Sequence, residues 1–373
     1  MSNIKRVGVA ILIVALIAIV GASFKGSNIL DRAIILGLGV DVCEEGVQLT
    51  AEVVSPGNGT EQVGTFSKAI TVTGRAIGEA MQELARQTGK EASLGQCVLL
   101  ILGQEYYQTV DFADTTEYFI KHDSFKENAT VCCCEGSAKD FLSNGGALGD
   151  SVSLAIATFM LQEADQVAVV DNDLLKFARS QSELHCTGFL NKVKFVPTEN
   201  KDAQNPEQTL GYFSYDEVVI FNGNKYVCEL NKAESQGMSL FFDKVVGDTF
   251  VSSADGLAKT LQVNDKKVDY KLSKDSVEIT VTLSVRLGRT DSEEVSGPIT
   301  AKKDKEIAPQ VLNDVQKQAF DKANAFLEKQ AEYNFDLIKL HELLRQRQGT
   351  SQSLAEKPTA DFNVKLTVKV KEN

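Results

Sequence analysis

Few residues in this chain could do chemistry, and their spacing does not bring them together. There are 7 cysteines, at 43, 97, 132, 133, 134, 186 and 228, and 3 histidines, His122, His185 and His341. Scarce histidine lowers the expectation of metal or acid–base chemistry near neutral pH. No cysteine pair has the C-x-x-C spacing of a zinc or redox site. Cys132 to Cys134 lie in an apolar stretch that reads as a strand. Neighbours on a strand point to opposite faces, so the three do not converge on one ion. They read instead as small buried apolar residues. An odd cysteine count does not make a full disulfide framework, and so many free thiols in an exported chain hint at a reducing setting.

Other motifs fail on inspection. His341-Glu342 opens HELLR, but a zinc-protease helix needs a second histidine four residues on, and that place holds Arg345. His185 and Cys186 are adjacent, so they do not face each other, and no third group orients them. Gly37-Leu38-Gly39 begins like a dinucleotide fingerprint, but the third-glycine place holds Val42 and no helix opens there. Those glycines suit a close backbone approach within a sheet. Asp41, Glu44 and Glu45 cluster near a turn and read as solvated. No Gly-x-Ser-x-Gly or phosphate loop occurs. The expectation is a non-enzymatic protein with no catalytic, metal or cofactor residues.

The elements that would position these residues alternate between strand and helix. Arg32 to Val42 and Val47 to Val54 read as strands joined by a turn at Glu44-Glu45-Gly46. Pro56 to Gly64 reads as a loop, and Thr71 to Thr73 as the lead into a helix from Ala76 that stops at Gly89. Cys97 to Gly103 and Ala129 to Cys134 read as buried strands. Asp111 to Lys121, Ala138 to Leu142, Ser151 to Glu163 and Leu174 to Arg179 read as helices. Phe189 to Val196 closes this half as a strand. Pro197 to Pro206 is polar and reads as a linker. Beyond it, Asn222-Gly223-Asn224 signals a hairpin between Val218–Phe221 and Lys225–Cys228. Ser235 to Phe242 reads as a helix. Val277 to Leu287 alternates cleanly and reads as a half-exposed strand. A long helix from Pro309 to about Gln330 follows, with Val311, Val315, Ala319, Ala323, Phe326 and Leu327 as its stripe. Leu337 to Arg347 reads as a second helix, and Asn363 to Lys371 as a strand able to pair with Val277 to Leu287. The fold class expected is α+β, a mixed α/β chain.

Residues 1 to 26 set the location. Lys5 and Arg6 precede an apolar run whose anchor residues are Val7, Ile11, Ile13, Leu16, Ile19, Val20 and Phe24. The run just reaches the length of a membrane-spanning helix, with the charge on the side that leaves the body extracytoplasmic. An uncleaved anchor is the expectation. Cleavage at Val20-Gly21-Ala22 is the alternative. Two or three small mixed domains follow, 27–197 and 207–373, the latter divisible into 207–256 and 257–373. The formal net charge of −12 disfavours nucleic acid as a partner.

From residue 28, NILDRAIILGLGVDVCEEGVQLTAEVVSP resembles the mature start of the Ger(x)C family, the C-type subunits of bacterial spore germinant receptors. Gly39-Val40-Asp41 holds the place of its G-x-D turn, and Val53 to Pro56 the end of its second strand. LGQCVLLILGQE is similar to the family's next buried strand. The later strand, long helix, Asp336 and lysine-alternating last strand follow the family's order. Two departures stand out: Gly21-Ala22-Ser23 lacks the lipobox cysteine, and the chain has no tryptophan. The resemblance implies a non-enzymatic subunit on the outer face of the spore inner membrane. Its implied partners are two polytopic membrane subunits, A and B, with which it would act in nutrient-triggered germination. A stand-alone extracytoplasmic binding or scaffold protein, anchored by residues 7 to 24, is the alternative.

Overall fold

The computed structural model describes residues 32–56, 65–143, 151–163, 172–181, 187–201, 209–242, 248–256, 258–272, 276–288, 307–343 and 358–372. The seven anchor residues from Val7 to Phe24 lie outside them, as do His185 and Cys186. Among the described residues no helix is long and apolar enough to cross a membrane.

The N-terminal sheet is mixed. β1 (Arg32–Cys43) and β2 (Gly46–Pro56) form the expected hairpin, with Gly46 at φ +134 where an L side chain is strained. β3 (Thr65–Gly74) pairs with β2 along ten residues, so Thr71 to Thr73 belong to a strand and do not lead into a helix. Helix α1 (Ile77–Thr88) then buries Ile77, Ala80, Met81 and Leu84 and ends at Gly89 in the left-handed region, φ 64. The short β4 (Glu91–Ser93) runs parallel to the start of β1.

Three further strands continue the sheet in parallel: β5 (Leu99–Leu102), β6 (Thr130–Cys134) and β7 (Thr187–Lys201). Their crossovers carry helices. α2 (Gln104–Thr109) and α3 (Ala113–Lys121) lie between β5 and β6. α4 (Ala138–Ser143), α5 (Val152–Glu163) and α6 (Leu174–Gln181) lie between β6 and β7. The helices cover both faces. Leu100, Leu102 and Cys133 face the core shared with α1, α2, α3 and α6. Leu99, Ile101, Cys132 and Cys134 face the core shared with α4 and α5. Burial on both faces explains why these strands are continuous apolar runs.

The first residues of the stretch expected to be a linker, 197–201, continue a strand. β7 runs on through Pro197, paired with Gly211, to Lys201, paired with Thr209, so β8 (Thr209–Asn222) extends the same sheet. β9 (Lys225–Leu230) closes it across the turn at Gly223, φ +61. The full order is β3-β2-β1-β5-β6-β7-β8-β9.

The C-terminal sheet has the order β10 (Thr249–Ser252), β11 (Lys259–Leu272), β12 (Ser276–Leu287), β13 (Asn363–Glu372). β12 and β13, the two strands expected to be able to pair, do so in parallel from Ser276–Asn363 to Val285–Glu372. Helix α8 (Pro309–Tyr333) lays Val311, Val315, Ala319, Ala323 and Phe326 on the sheet, with Gln330 in place of the expected Leu327 at the fully buried end. Each fully buried Val or Phe there is worth about 1.5–3 kcal/mol. Leu337 and Ile338 sit in a turn, and the expected second helix starts only at Leu340.

Helix α7 (Lys232–Ser239) joins the two sheets. It opens on a capping box, Asn231 with Glu234. Its residue Met238 shares one core with Ile220 and Leu230 of the first sheet and with Ala323 and Ile279 of the second layer. α7 meets α8 backbone to backbone at Gly237, where an added Cβ would lie 2.0 Å from the Lys322 carbonyl oxygen. Gly237→Ala should therefore lower stability by about 2–3 kcal/mol, the cost of forcing atoms into a closed contact. Urea unfolding of the two proteins checks this, and an unchanged midpoint would show that the helices slip apart freely.

Candidate functional site

Asp41 does not belong to a solvated acidic turn. Glu44 and Glu45 do sit exposed in the β1–β2 turn, where Glu45 accepts from the Thr73 hydroxyl at 3.0 Å. Asp41 is buried and accepts from the backbone N–H of Ala138 at 2.8 Å, that of Lys139 at 2.8 Å and the Ser137 hydroxyl at 3.2 Å. It caps α4. Burial pushes its carboxyl above the usual aspartate value, and those donors hold it back. Gly103 leaves room for it: a Cβ there would meet Asp41 Oδ1 at 1.9 Å.

Around this cap, a crevice opens beyond the carboxyl ends of β1, β5 and β6, the general place for ligands in sheets of this type. One part, about 460 Å³, is lined by Asp41, Gln48, Gln104, Glu105, Gln108 and Ser137. A neighbouring recess of about 210 Å³ shares Ser137 and Gly136 and adds Glu135 and Asp140 with a wall of Phe141, Phe195 and Phe213. Gln104 Oε1 accepts from Gly136 N–H at 3.0 Å and ties the two loops together. The lining is amide, carboxylate, hydroxyl and aromatic. It offers contact surface, and its one buried carboxylate is already committed to a helix end.

Beside the crevice a charged network crosses the sheet. Buried Lys192 of β7 lies 2.5 Å from Glu229 of β9 and 3.6 Å from Glu217 of β8. Glu229 also accepts from Tyr107 Oη at 2.9 Å and Gln108 Nε2 at 3.1 Å. Lys194 continues the chain to Glu217 at 2.6 Å and Glu135 at 3.6 Å. Sequence reading missed this network, because its partners lie on strands and helices distant in the chain.

The thiols are sequestered. Cys97, Cys132, Cys133, Cys134 and Cys228 are buried and unpaired, and Cys43 is half-buried. Burial pushes Cys97 and Cys228 up to about 12 and raises the consecutive three as well. Thiols held so far above neutral pH supply almost no thiolate. His341 is buried with Nδ1 2.6 Å from Asp336, whose carboxylate also accepts from the backbone N–H groups of Leu340 and His341 at 2.8 Å. His341 thus lies in the first turn of a capped helix. Gly37 and Gly39 serve close approach: a Cβ would fall 1.9 Å from Ser153 Oγ at the first and 2.9 Å from Ala138 Cβ at the second. Among the described residues no group of His, Cys, Asp and Glu is placed to hold a metal ion.

The geometry defines a class: a mixed α/β scaffold whose buried acids Asp41 and Asp336 are spent on holding helix starts in place. Two family models place it further. Residues 26–194 match the model described as spore germination protein N-terminal domain, and residues 216–373 the model described as spore germination B3/GerAC like, C-terminal. The chain belongs to this spore germination family, the Ger(x)C family. The solved structure entitled "Crystal Structure of the GerBC protein" aligns at 15% identity with a TM-score of 0.52, over 90% of this chain and 96% of that one, which shows a shared fold. No curated protein matches the chain.

Two predictions follow from the buried groups. With a thiol-specific reagent on the native protein, Cys43 should label at least about tenfold faster than any of the five buried cysteines. Peptide mass spectrometry reads the difference, and equal rates would show an opening sheet. The second concerns Glu229. Burial pushes its carboxyl up, but hydrogen bonds from Lys192, Tyr107 and Gln108 outweigh that and hold it below the ordinary 4.5. A depressed folded-state value adds stability above the ordinary pKa, lost as pH falls through the lower folded value. Thermal unfolding should show Glu229→Gln less stable than the parent at neutral pH, with the gap closing as pH falls below the ordinary glutamate range. A gap constant with pH would remove the charge from the explanation.

Proposed function

We propose that this chain is the membrane-anchored C-type subunit of a nutrient-responsive germinant receptor. It acts without catalysis, beside A- and B-type polytopic subunits, with its body on the outer face of the spore inner membrane. One observation carries the reading: family models for spore germination proteins match both halves of the chain, 26–194 and 216–373. The rest supports it. The apolar run from Val7 to Phe24 behind Lys5 and Arg6 suits an uncleaved anchor with the body outside. The described interior keeps its thiols protonated and its carboxylates committed to structural partners.

A second reading rests on Gly21-Ala22-Ser23, which carries no cysteine to lipidate. It makes the chain a stand-alone scaffold fixed by its own helix. The helix itself would be a firmer attachment than one acyl chain, which binds a membrane only marginally.

The experiment separates them. A C-terminal tag on the full chain, mild detergent extraction of spore membranes and mass spectrometry of what co-purifies should recover two polytopic subunits. Recovery of the chain alone would favour the scaffold. Removal of residues 1–24 should leave a folded protein that no longer supports germination. Normal germination by that truncation would overturn the anchored reading.

A further inference from the structure

The last strand presents a row of lysines that its own fold does not use. Val364, Leu366, Val368 and Val370 of β13 pack toward α8, which leaves Lys365, Thr367, Lys369 and Lys371 exposed on the opposite face. Alternate residues on a strand are about 6.7 Å apart, so the ammonium groups form one line. Among the described residues β13 pairs only with β12, which puts that line at the rim of the sheet.

Among the described residues, neighbouring charges do not neutralise it. Lys267 is held 2.6 Å from Asp269, and Lys271 lies 3.9 Å from Glu278. Glu278 is the carboxylate in register with Lys365, so the in-register acid is shared with another lysine. Thr280 stands opposite Thr367, and Thr282 opposite Lys369. None of the three lysines has an ion-pair partner among the described residues. The strip therefore offers ammonium and hydroxyl groups and no large apolar side chain. That chemistry suits a plane of phosphate oxygens and does not suit an apolar protein surface.

The chain carries a formal net −12, so an anionic surface repels the body as a whole. Attraction is left to the few places where basic groups stand unpaired, and such a place orients the molecule. A lysine close to an anionic bilayer gains attraction that decays within a Debye length.

We propose that the Lys365–Lys369–Lys371 row is the face by which the soluble body rests on anionic phospholipid headgroups of its own membrane. The inference rests on the anchored reading above and adds the orientation of the body.

The test uses the full chain in lipid nanodiscs, neutral phosphatidylcholine against phosphatidylglycerol, with an amine-acylating reagent and peptide mass spectrometry. In anionic discs Lys365, Lys369 and Lys371 should label about tenfold more slowly than in neutral ones, and salt at about 1 M should restore the rate. Lys90 and Lys139, exposed elsewhere, should not change. The triple variant Lys365→Gln, Lys369→Gln, Lys371→Gln alters only exposed side chains. In anionic discs it should return Lys267 and Lys271 of the same face to their neutral-disc rates. Equal labelling of the row in both lipids overturns the proposal. Protection in neutral discs as well also overturns it, and points to lysines that guard the strand edge or meet another protein. A chain that does not enter discs refutes the anchor, and the same footprint with added anionic vesicles then decides the face separately.

Discussion

A carboxylate can stay buried only where donors meet its charge, and here the start of a helix meets it three times. Asp41 of β1 receives the first turn of α4, 97 and 98 residues along the chain. Glu52 of β2 receives the N–H groups of Val152 and Ser153 at the start of α5, at 3.1 and 2.9 Å. Asp336 receives Leu340 and His341 at the turn after α8. A helix N-terminus carries partial positive charge and unpaired N–H groups, so each contact settles two deficits at once. The glycines of β1 are a consequence. With α4 and α5 drawn onto the strand ends, Gly37 and Gly39 are the residues that leave them space. The motif that resembled a cofactor loop is the floor on which two capped helices rest.

The same logic joins the two sheets. α7 follows β9 directly, and its small residue Gly237 lets α8 approach to backbone contact. Ile220 and Leu230 from the first sheet and Val281 and Leu283 from the second belong to one apolar cluster around these helices. Val219 and Phe221 of β8 fall in the second matched stretch yet pack in the core of the first, so the halves matched by separate family models share a core, and the pairing of β7 with β8 keeps β8 in the first sheet.

Legibility in the sequence tracked how local the cause was. β12 alternates because one face is buried and one is wet, and α8 shows its stripe because one side packs. β11 was not legible. A register shift between Val263 and Asp265 breaks its period, and Lys266, a residue expected outside, is buried with Nζ donating to the Ser239 carbonyl at 2.6 Å. β3 lacked a signal because its residues are mostly half-buried on both faces. Of the site, the isolation of Cys132 to Cys134 on opposite faces followed from strand geometry alone. The roles of Asp41 and Lys192 did not, because partners 97 and 37 residues away leave no mark at short range.

The thiols show why residue type is a weaker guide than placement. Six described cysteines without a disulfide suggest a reducing surrounding when read as a count. Placed in the fold, five of them need no such surrounding. They are closed off from solvent, and burial holds their protons on at any physiological pH. Oxidation proceeds through an accessible thiolate, which these residues do not present. The cysteines then behave as volume fillers between helix layers, and the free thiols are compatible with an extracytoplasmic body. Location and redox state, which looked coupled in the sequence, come apart once burial is known.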